Sequence, residues 1–325
     1  MNMSGDLLNY IKSSKVHKEV MSDLVENNIV KPGNSINYIV DYIESSVKNK
    51  INYNQDKPLY AGCGFPPNIS VNEIVAHYTA SPNNKDYILQ ENDIVKVDFG
   101  VHSHGYITDS AQTFHFNSKY DEFIQASKDA TNYAIGLCGV DVNLGDLGKD
   151  IEEYVKSKEV TIDNKLYPLY TLKDLTGHNI GQYVIHKSKA LPNTAINYPL
   201  RMEEGEVFAV EPFVSTCAES YYDSPTNLFM INKNYVDYVP FLSEKELKLF
   251  NLIFEKYFML CFCDNWLINE LKDFNFELFN NLIQKKLIEE YKTIYVPKNN
   301  YVSQFEHNVY IRNNGIIKLT ENKYY

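Results

Sequence analysis

The chain has 325 residues, 44% of them hydrophobic and 22% charged. That is enough to bury a sizeable core as one large or two modest domains, and it excludes wholesale disorder, a disulfide-stapled miniprotein and a membrane-embedded chain. The formal net charge is −11 and only Arg201 and Arg312 are arginines, which sets nucleic-acid binding aside because that class needs a clustered basic surface. Five cysteines form no C-x-x-C pair and follow no secretory leader, and no apolar run reaches the roughly 18 residues of a membrane span. The expectation is a soluble protein of the reducing cytoplasm with no membrane partner.

Val20, Leu24 and Ile29 mark a first helix, Lys31-Pro32-Gly33 breaks it, and a second helix runs from Ile36 to Val47 with Asn34-Ser35 as its cap. From Asp93 to Phe116 the pattern becomes β, with Ile94 to Phe99, a His102-Ser103-His104-Gly105 turn and Tyr106 to Phe116 forming a hairpin. Helical patterns return over 118–138 and 144–157. Short strands are expected over Thr161 to Leu169 and Val207 to Thr216, joined by a polar loop carrying Gly177-His178. Helices follow over Ser243 to Lys272 and Phe276 to Glu290, then a late strand over Val302 to Arg312. The fold class is α+β, and no solenoid period is visible.

The hairpin carries the first chemical signal. A turn centred between Ser103 and His104 sets Asp98 directly opposite Asp109, with Cβ atoms about 4.5–5.5 Å apart, a repulsive pair unless a cation lies between. A bridged metal pair, its ions about 3.5–4 Å apart, supplies that charge. The hairpin alone leaves open that Asp98 faces solvent or that the turn is slipped by one residue. Three further segments add candidates. His178 lies between Gly177 and Gly181 in what reads as a close-packed loop exposing an imidazole, Glu211 ends the apolar run from Val207, and Glu306 sits in Gln304-Phe305-Glu306-His307. Buried carboxylates need a cation or a metal. Each segment alone is also compatible with a structural hydrogen bonder; together they form an oxygen-rich dinuclear site.

Asp98, Asp109, His178, Glu211 and Glu306 follow the Asp, Asp, His, Glu, Glu order of the pita-bread metallopeptidases. The strings Gly64-Phe65-Pro66, Ala76-His77-Tyr78-Thr79, Lys96 to Gly100, Gly177 to His186, Arg201 to Val207 and Gln304 to His307 make the chain resemble the type 2 methionine aminopeptidases from about residue 15 to the C-terminus. The stretch from Ser243 to Glu290 takes the place of the type 2 insertion. The resemblance therefore implies one pita-bread catalytic domain over 1–325 with a helical insertion over 240–292. Prolidases and aminopeptidase P share the ligands but carry a large N-terminal domain, for which the 76 residues before His77 leave no room.

Carried over residue by residue, the resemblance implies that Asp98 chelates one metal, that Asp109 and Glu306 bridge both, and that His178 and Glu211 complete the second. The implied cofactors are two divalent ions (Co, Mn, Fe or Zn), which acidify a bridging water and polarise the scissile carbonyl. Glu211 is the implied proton shuttle. His77 and His186 are implied non-ligand catalytic residues that hydrogen-bond the substrate, although read blind a histidine after Ile74-Val75-Ala76 is more often a satisfied core residue. Phe65, Ile185, Phe213 and Tyr291 match an apolar methionine pocket; Cys217 could lie near it, and His102, His104, His115 and His307 read as ordinary turn or strand residues. Phe229 stands near a pocket position often held by His, and Pro212 follows Glu211 where many members have Thr. The implied partners are nascent polypeptide N-termini, with transient ribosome contact not mediated by a polybasic extension, and a monomeric state. A ligand-less binding protein of the same fold is the rival, disfavoured by the intact ligand set.

Overall fold

The computed structural model describes residues 5–271 and 274–324. Helix α1 (Gly5–Glu26) is followed by α2 (Ile36–Ile51), whose cap is Ser35, its side chain accepting from the Tyr38 backbone N–H. Strands β1 (Ala61–Val71), β2 (Ile74–Ala76), β3 (Ile94–Ser103) and β4 (Tyr106–His115) come next. Three of them form an antiparallel sheet in the order β1-β3-β4. Val20, Leu24, Ile39, Ile43 and Val47 from the helices bury against Ile69, Val97, Phe99 and Val101 of this sheet.

The hairpin closes one residue later than expected. His104 and Gly105 both have positive φ, 52° and 80°, which a two-residue type I′ turn demands, and the last pair is Ser103 opposite Tyr106. Asp98 therefore faces Ala111, and Asp109 faces Gly100. A one-residue displacement of the turn moves the pairing by two, the side-chain period of a strand. Both carboxylates stay on one face as diagonal neighbours rather than direct partners.

Helices α3 (Asp121–Leu137) and α4 (Leu144–Lys156) lead into the β5 (Glu159–Ile162) and β6 (Lys165–Pro168) hairpin, over the stretch expected to hold short strands. Strands β7 (Tyr170–Thr171), β8 (Thr176–Ile180), β9 (Ala190–Pro192), β10 (Val207–Val210), β11 (Phe213–Ser215) and β12 (Tyr221–Ile231) follow. Beyond them are α5 (Glu244–Tyr257), β13 (Phe262–Cys263), α6 (Asp264–Glu270), α7 (Phe276–Gln284), β14 (Ile288–Tyr295), β15 (Val302–Gln304), β16 (His307–Arg312) and β17 (Gly315–Lys318). The helix expected over Phe276 to Glu290 stops at Gln284 because Ile288 onward is claimed by pairing with both β12 and β2. The helix expected over Ser243 to Lys272 is broken where Phe258 turns to φ 50°, and Lys272 lies outside the described residues. The late strand is interrupted at Phe305-Glu306, which sends β15 and β16 into different sheets.

Those sheets run β17-β16-β10-β8-β9 and β15-β11-β7. Gly177-His178 is thus not a loop: His178 pairs with Ala209 on one side and Ala190 on the other. Gly177 permits the approach, since a Cβ there would stand 2.4 Å from the Ala209 carbonyl oxygen. Replacing it requires a backbone shift. Gly177→Ala is expected to lower stability by about 1–3 kcal/mol in urea unfolding; an unchanged midpoint would contradict this packing.

Candidate metal centre

Five chain segments converge at one point. Asp98 projects from β3, Asp109 from β4 and His178 from β8, Glu211 follows β10, and Glu306 occupies the break between β15 and β16. Oxygens of Asp98, Asp109 and Glu306 lie within 4.8 Å of one another. His178 Nε2 is 3.5 Å from Asp109 Oδ2 and 3.4 Å from Glu211 Oε1. Asp109, His178, Glu211 and Glu306 are buried. Backbone bonds fix the approach: the Asp109 N–H donates to Asn308 Oδ1 at 2.7 Å, the Glu306 N–H to the Ala111 carbonyl at 3.0 Å, and the Ser110 hydroxyl to the Glu306 carbonyl.

So many buried carboxylates cannot all stay ionised without a cation. Burial, then the charges of Asp109 and Glu211, push the Asp98 carboxyl well above its ordinary range; burial and the same neighbours do so for Glu306. Glu211 is raised by burial despite its bond to His178. Burial alone would lower His178, but bonds to Asp109 and Glu211 carry it up to about 10. Asp98 Oδ1 and Glu306 Oε1 are buried with no hydrogen-bond partner, the signature of acceptors waiting for a cation. Carboxylates with one imidazole fit a divalent first-row ion.

Gln304, to which sequence reasoning gave no role, touches three of the acids: its Nε2 lies 3.4 Å from Asp98, 3.3 Å from Glu211 and 3.4 Å from Glu306. The available signal was its two-residue spacing from Glu306. His77, at φ 66°, lies 3.1 Å through Nδ1 from the Lys292 carbonyl. A carbonyl only accepts, so Nδ1 carries the proton of the neutral ring and Nε2 is bare. The His186 ring is 4.2 Å from that of His178 and stacks on Tyr291 at 5.9 Å. Burial lowers the pKa of His77, and burial with the nearby His178 lowers that of His186.

An apolar pocket opens beside the acids, walled by Phe65, Ile185, Leu228, Cys261 and Tyr291, with Asn68 at its edge. Phe213 is not part of it; with Ala76, Tyr222 and Ile294 it lines an adjoining open groove. Its strand β11 pairs with β15 and packs it on Leu172 and Val302, beyond Glu211. Phe229 also misses the pocket. Strand alternation turns Leu228 inward and Phe229 onto Phe279 at 5.0 Å. Cys217 packs beside Phe213 and lines neither cavity.

The profile of metallopeptidase family M24 matches residues 9–254. Methionine aminopeptidase 2-1 of Fusarium vanettenii is 36% identical over 315 residues, covering 96% of this chain and 70% of that protein. The chain belongs to the methionine aminopeptidase 2 family. Among solved structures, the methionine aminopeptidase of Thermotoga maritima has a TM-score of 0.63 at 18% identity, over 99% of this chain and 98% of its own. The structure of a thermophilic Arx1 has a TM-score of 0.77 at 14% identity, over 98% and 91%. These likenesses establish the pita-bread fold of family M24, whose members use divalent metal.

The raised pKa values set a pH dependence. Folded protein without metal retains protons on Asp98, Glu211, Glu306 and His178 that the unfolded chain releases, so its stability falls as pH rises from the carboxylate range towards about 10. A metal displaces those protons. The gap in Tm between metal-loaded and chelated protein is expected to widen with pH, and calorimetry in buffers of different ionisation enthalpy should register proton release on binding. A constant gap with no proton release would contradict the electrostatics.

Proposed function

We propose that the chain removes the initiator methionine of nascent polypeptides when the second residue is small, acting as a metalloaminopeptidase with Asp98, Asp109, His178, Glu211 and Glu306 as ligands of two divalent ions. The convergence of these side chains from five segments, with unsatisfied oxygens on Asp98 and Glu306, supports this reading. Bound divalent ions supply Lewis-acid polarisation of the scissile carbonyl and an acidified water.

The chain's own residues do the rest. Phe65, Ile185, Leu228, Cys261 and Tyr291 take the methionine side chain, and a thioether suits a wall with few polar groups to leave unpaired. The bare Nε2 of His77 accepts a hydrogen bond from the substrate amide, and His186, held against Tyr291, faces the reacting carbonyl. Glu211, its carboxyl raised by burial, holds the proton passed to the leaving amine. Phe213 and Tyr222 flank the path of the departing chain. Residues 240–292 act as an insertion into one catalytic domain and bring Cys261 and Tyr291 to the pocket.

Five unpaired cysteines support a cytoplasmic setting, and among the described residues no helix is long and apolar enough to cross a membrane. We place the enzyme there as a monomer meeting nascent N-termini, in transient contact with the ribosome.

The test is metal-stripped protein reconstituted singly with Co, Mn, Fe or Zn. At least one ion should support cleavage of Met-Gly and Met-Ala peptides, with Met-Lys and Met-Glu cleaved hardly at all. Asp109→Ala and Glu306→Ala should lose activity by more than about a hundredfold, beyond what removal of an outer partner causes, together with bound metal. Equal cleavage across the peptides would refute the specificity, and variants keeping turnover and metal would refute the ligand assignment.

A further inference from the structure

Helix α1 crosses the reverse face of the β3–β4 hairpin, and beside its apolar packing there it makes a row of polar contacts. Ser103 Oγ donates to Asn9 Oδ1 at 3.2 Å, the hydroxyls of Ser13 and Thr108 lie 2.7 Å apart, and His17 Nε2 lies 3.0 Å from the Phe99 carbonyl and 3.1 Å from the Ser110 carbonyl. Positions 9, 13 and 17 follow the four-residue spacing of one helix face. Ser13 and His17 are fully buried, so this is a polar stripe inside a core, not a solvated side.

His17 stands where the stripe meets the metal centre. Phe99 and Ser110 are cross-strand partners, and each directly follows a ligand candidate, Asp98 and Asp109. Ser110 in turn donates its hydroxyl to the carbonyl of Glu306. The His17 ring stacks on Phe99 with centroids 4.1 Å apart and planes inclined by 13°. Burial lowers its pKa to about 4, so the ring is neutral at physiological pH and has one N–H. Two carbonyls face Nε2, and carbonyls only accept, which puts that proton on Nε2. Nδ1 is left buried with no partner. A histidine with an unsatisfied nitrogen is a poor choice where a core only needs filling. What it offers and an apolar residue lacks is one N–H shared between two strands.

We propose that His17 is a positioning residue of the metal centre: its N–H, held between the carbonyls of Phe99 and Ser110, fixes the separation of β3 and β4 at the point where Asp98 and Asp109 leave them. The proposal rests on the reading of those two acids as metal ligands. The need is mechanical. Two carboxylates on the opposite face repel each other as diagonal neighbours, which favours splaying or slippage of the hairpin, and a donor tied to both strands opposes that.

Cobalt(II) loading reads this directly, through affinity by calorimetry and through the visible d–d absorption. His17→Phe keeps the stacking and removes the donor; His17→Met, flexible and equally donorless, takes its place if the phenylalanine variant does not fold. His17→Gln restores an N–H. Val20→Ala removes buried bulk from α1 without removing a hydrogen-bond donor and controls for loss of stability alone. The expected result is cobalt affinity weakened about 10- to 100-fold in the donorless variant, as for partners behind metal ligands, with an altered absorption band, most of the loss recovered by His17→Gln, and no change in Val20→Ala. Wild-type affinity and spectrum in the donorless variant, or an equal shift in Val20→Ala, would overturn the proposal. Asp98→Ala separates the two readings: it should abolish the band, and a retained band would remove the ligand assignment and this inference with it.

Discussion

The structure turns on the mutual repulsion of four clustered carboxylates, three of them buried, with a single imidazole among them. Left to themselves, such groups would part or neutralise. Here they are held together by elements that have no freedom to part. Asp98 and Asp109 are fixed by hairpin register, His178 by pairing on both sides of β8, and Glu211 and Glu306 by strand ends whose next residues enter other sheets. Such an arrangement favours cations, or retained protons, among the acids.

Much of the surrounding architecture follows from that constraint. Gln304 shares its amide among three of the acids, Asn308 holds the Asp109 backbone, and the helical layer formed by α1 and α2 braces the hairpin from behind. Apolar walls are kept to one side of the acids. The pocket of Phe65, Ile185, Leu228, Cys261 and Tyr291 adjoins them, while the open groove with Phe213 and Tyr222 leads away. On the proposed function, binding of a side chain and departure of a polypeptide fall to different surfaces.

Local chemistry made the helices and the hairpin legible in the sequence. Ser35 caps α2, and apolar spacing marks α1 and α3, because these signals act over a few residues. What depended on distant pairing was harder to read. The turn position was decided by a non-glycine residue, His104, accepting positive φ, and Gly177-His178 looked like a loop because only its partners β9 and β10 make it a strand. The segment after Gln284 became β14 for the same reason. The site candidates were found through the facing acids of the hairpin, the acid that ends the run from Val207 and the resemblance of the surrounding strings to a known family. Gln304 and His17 were passed over, since an amide and a helix histidine look ordinary until their neighbours are known.

A pair of divalent ions among these five side chains is directly visible to anomalous X-ray diffraction from manganese-soaked crystals measured at the manganese edge. Two anomalous peaks about 3.5–4 Å apart are expected, enclosed by Asp98, Asp109, His178, Glu211 and Glu306. A single peak outside that enclosure, or none at a manganese concentration that activates the enzyme, would contradict this assignment.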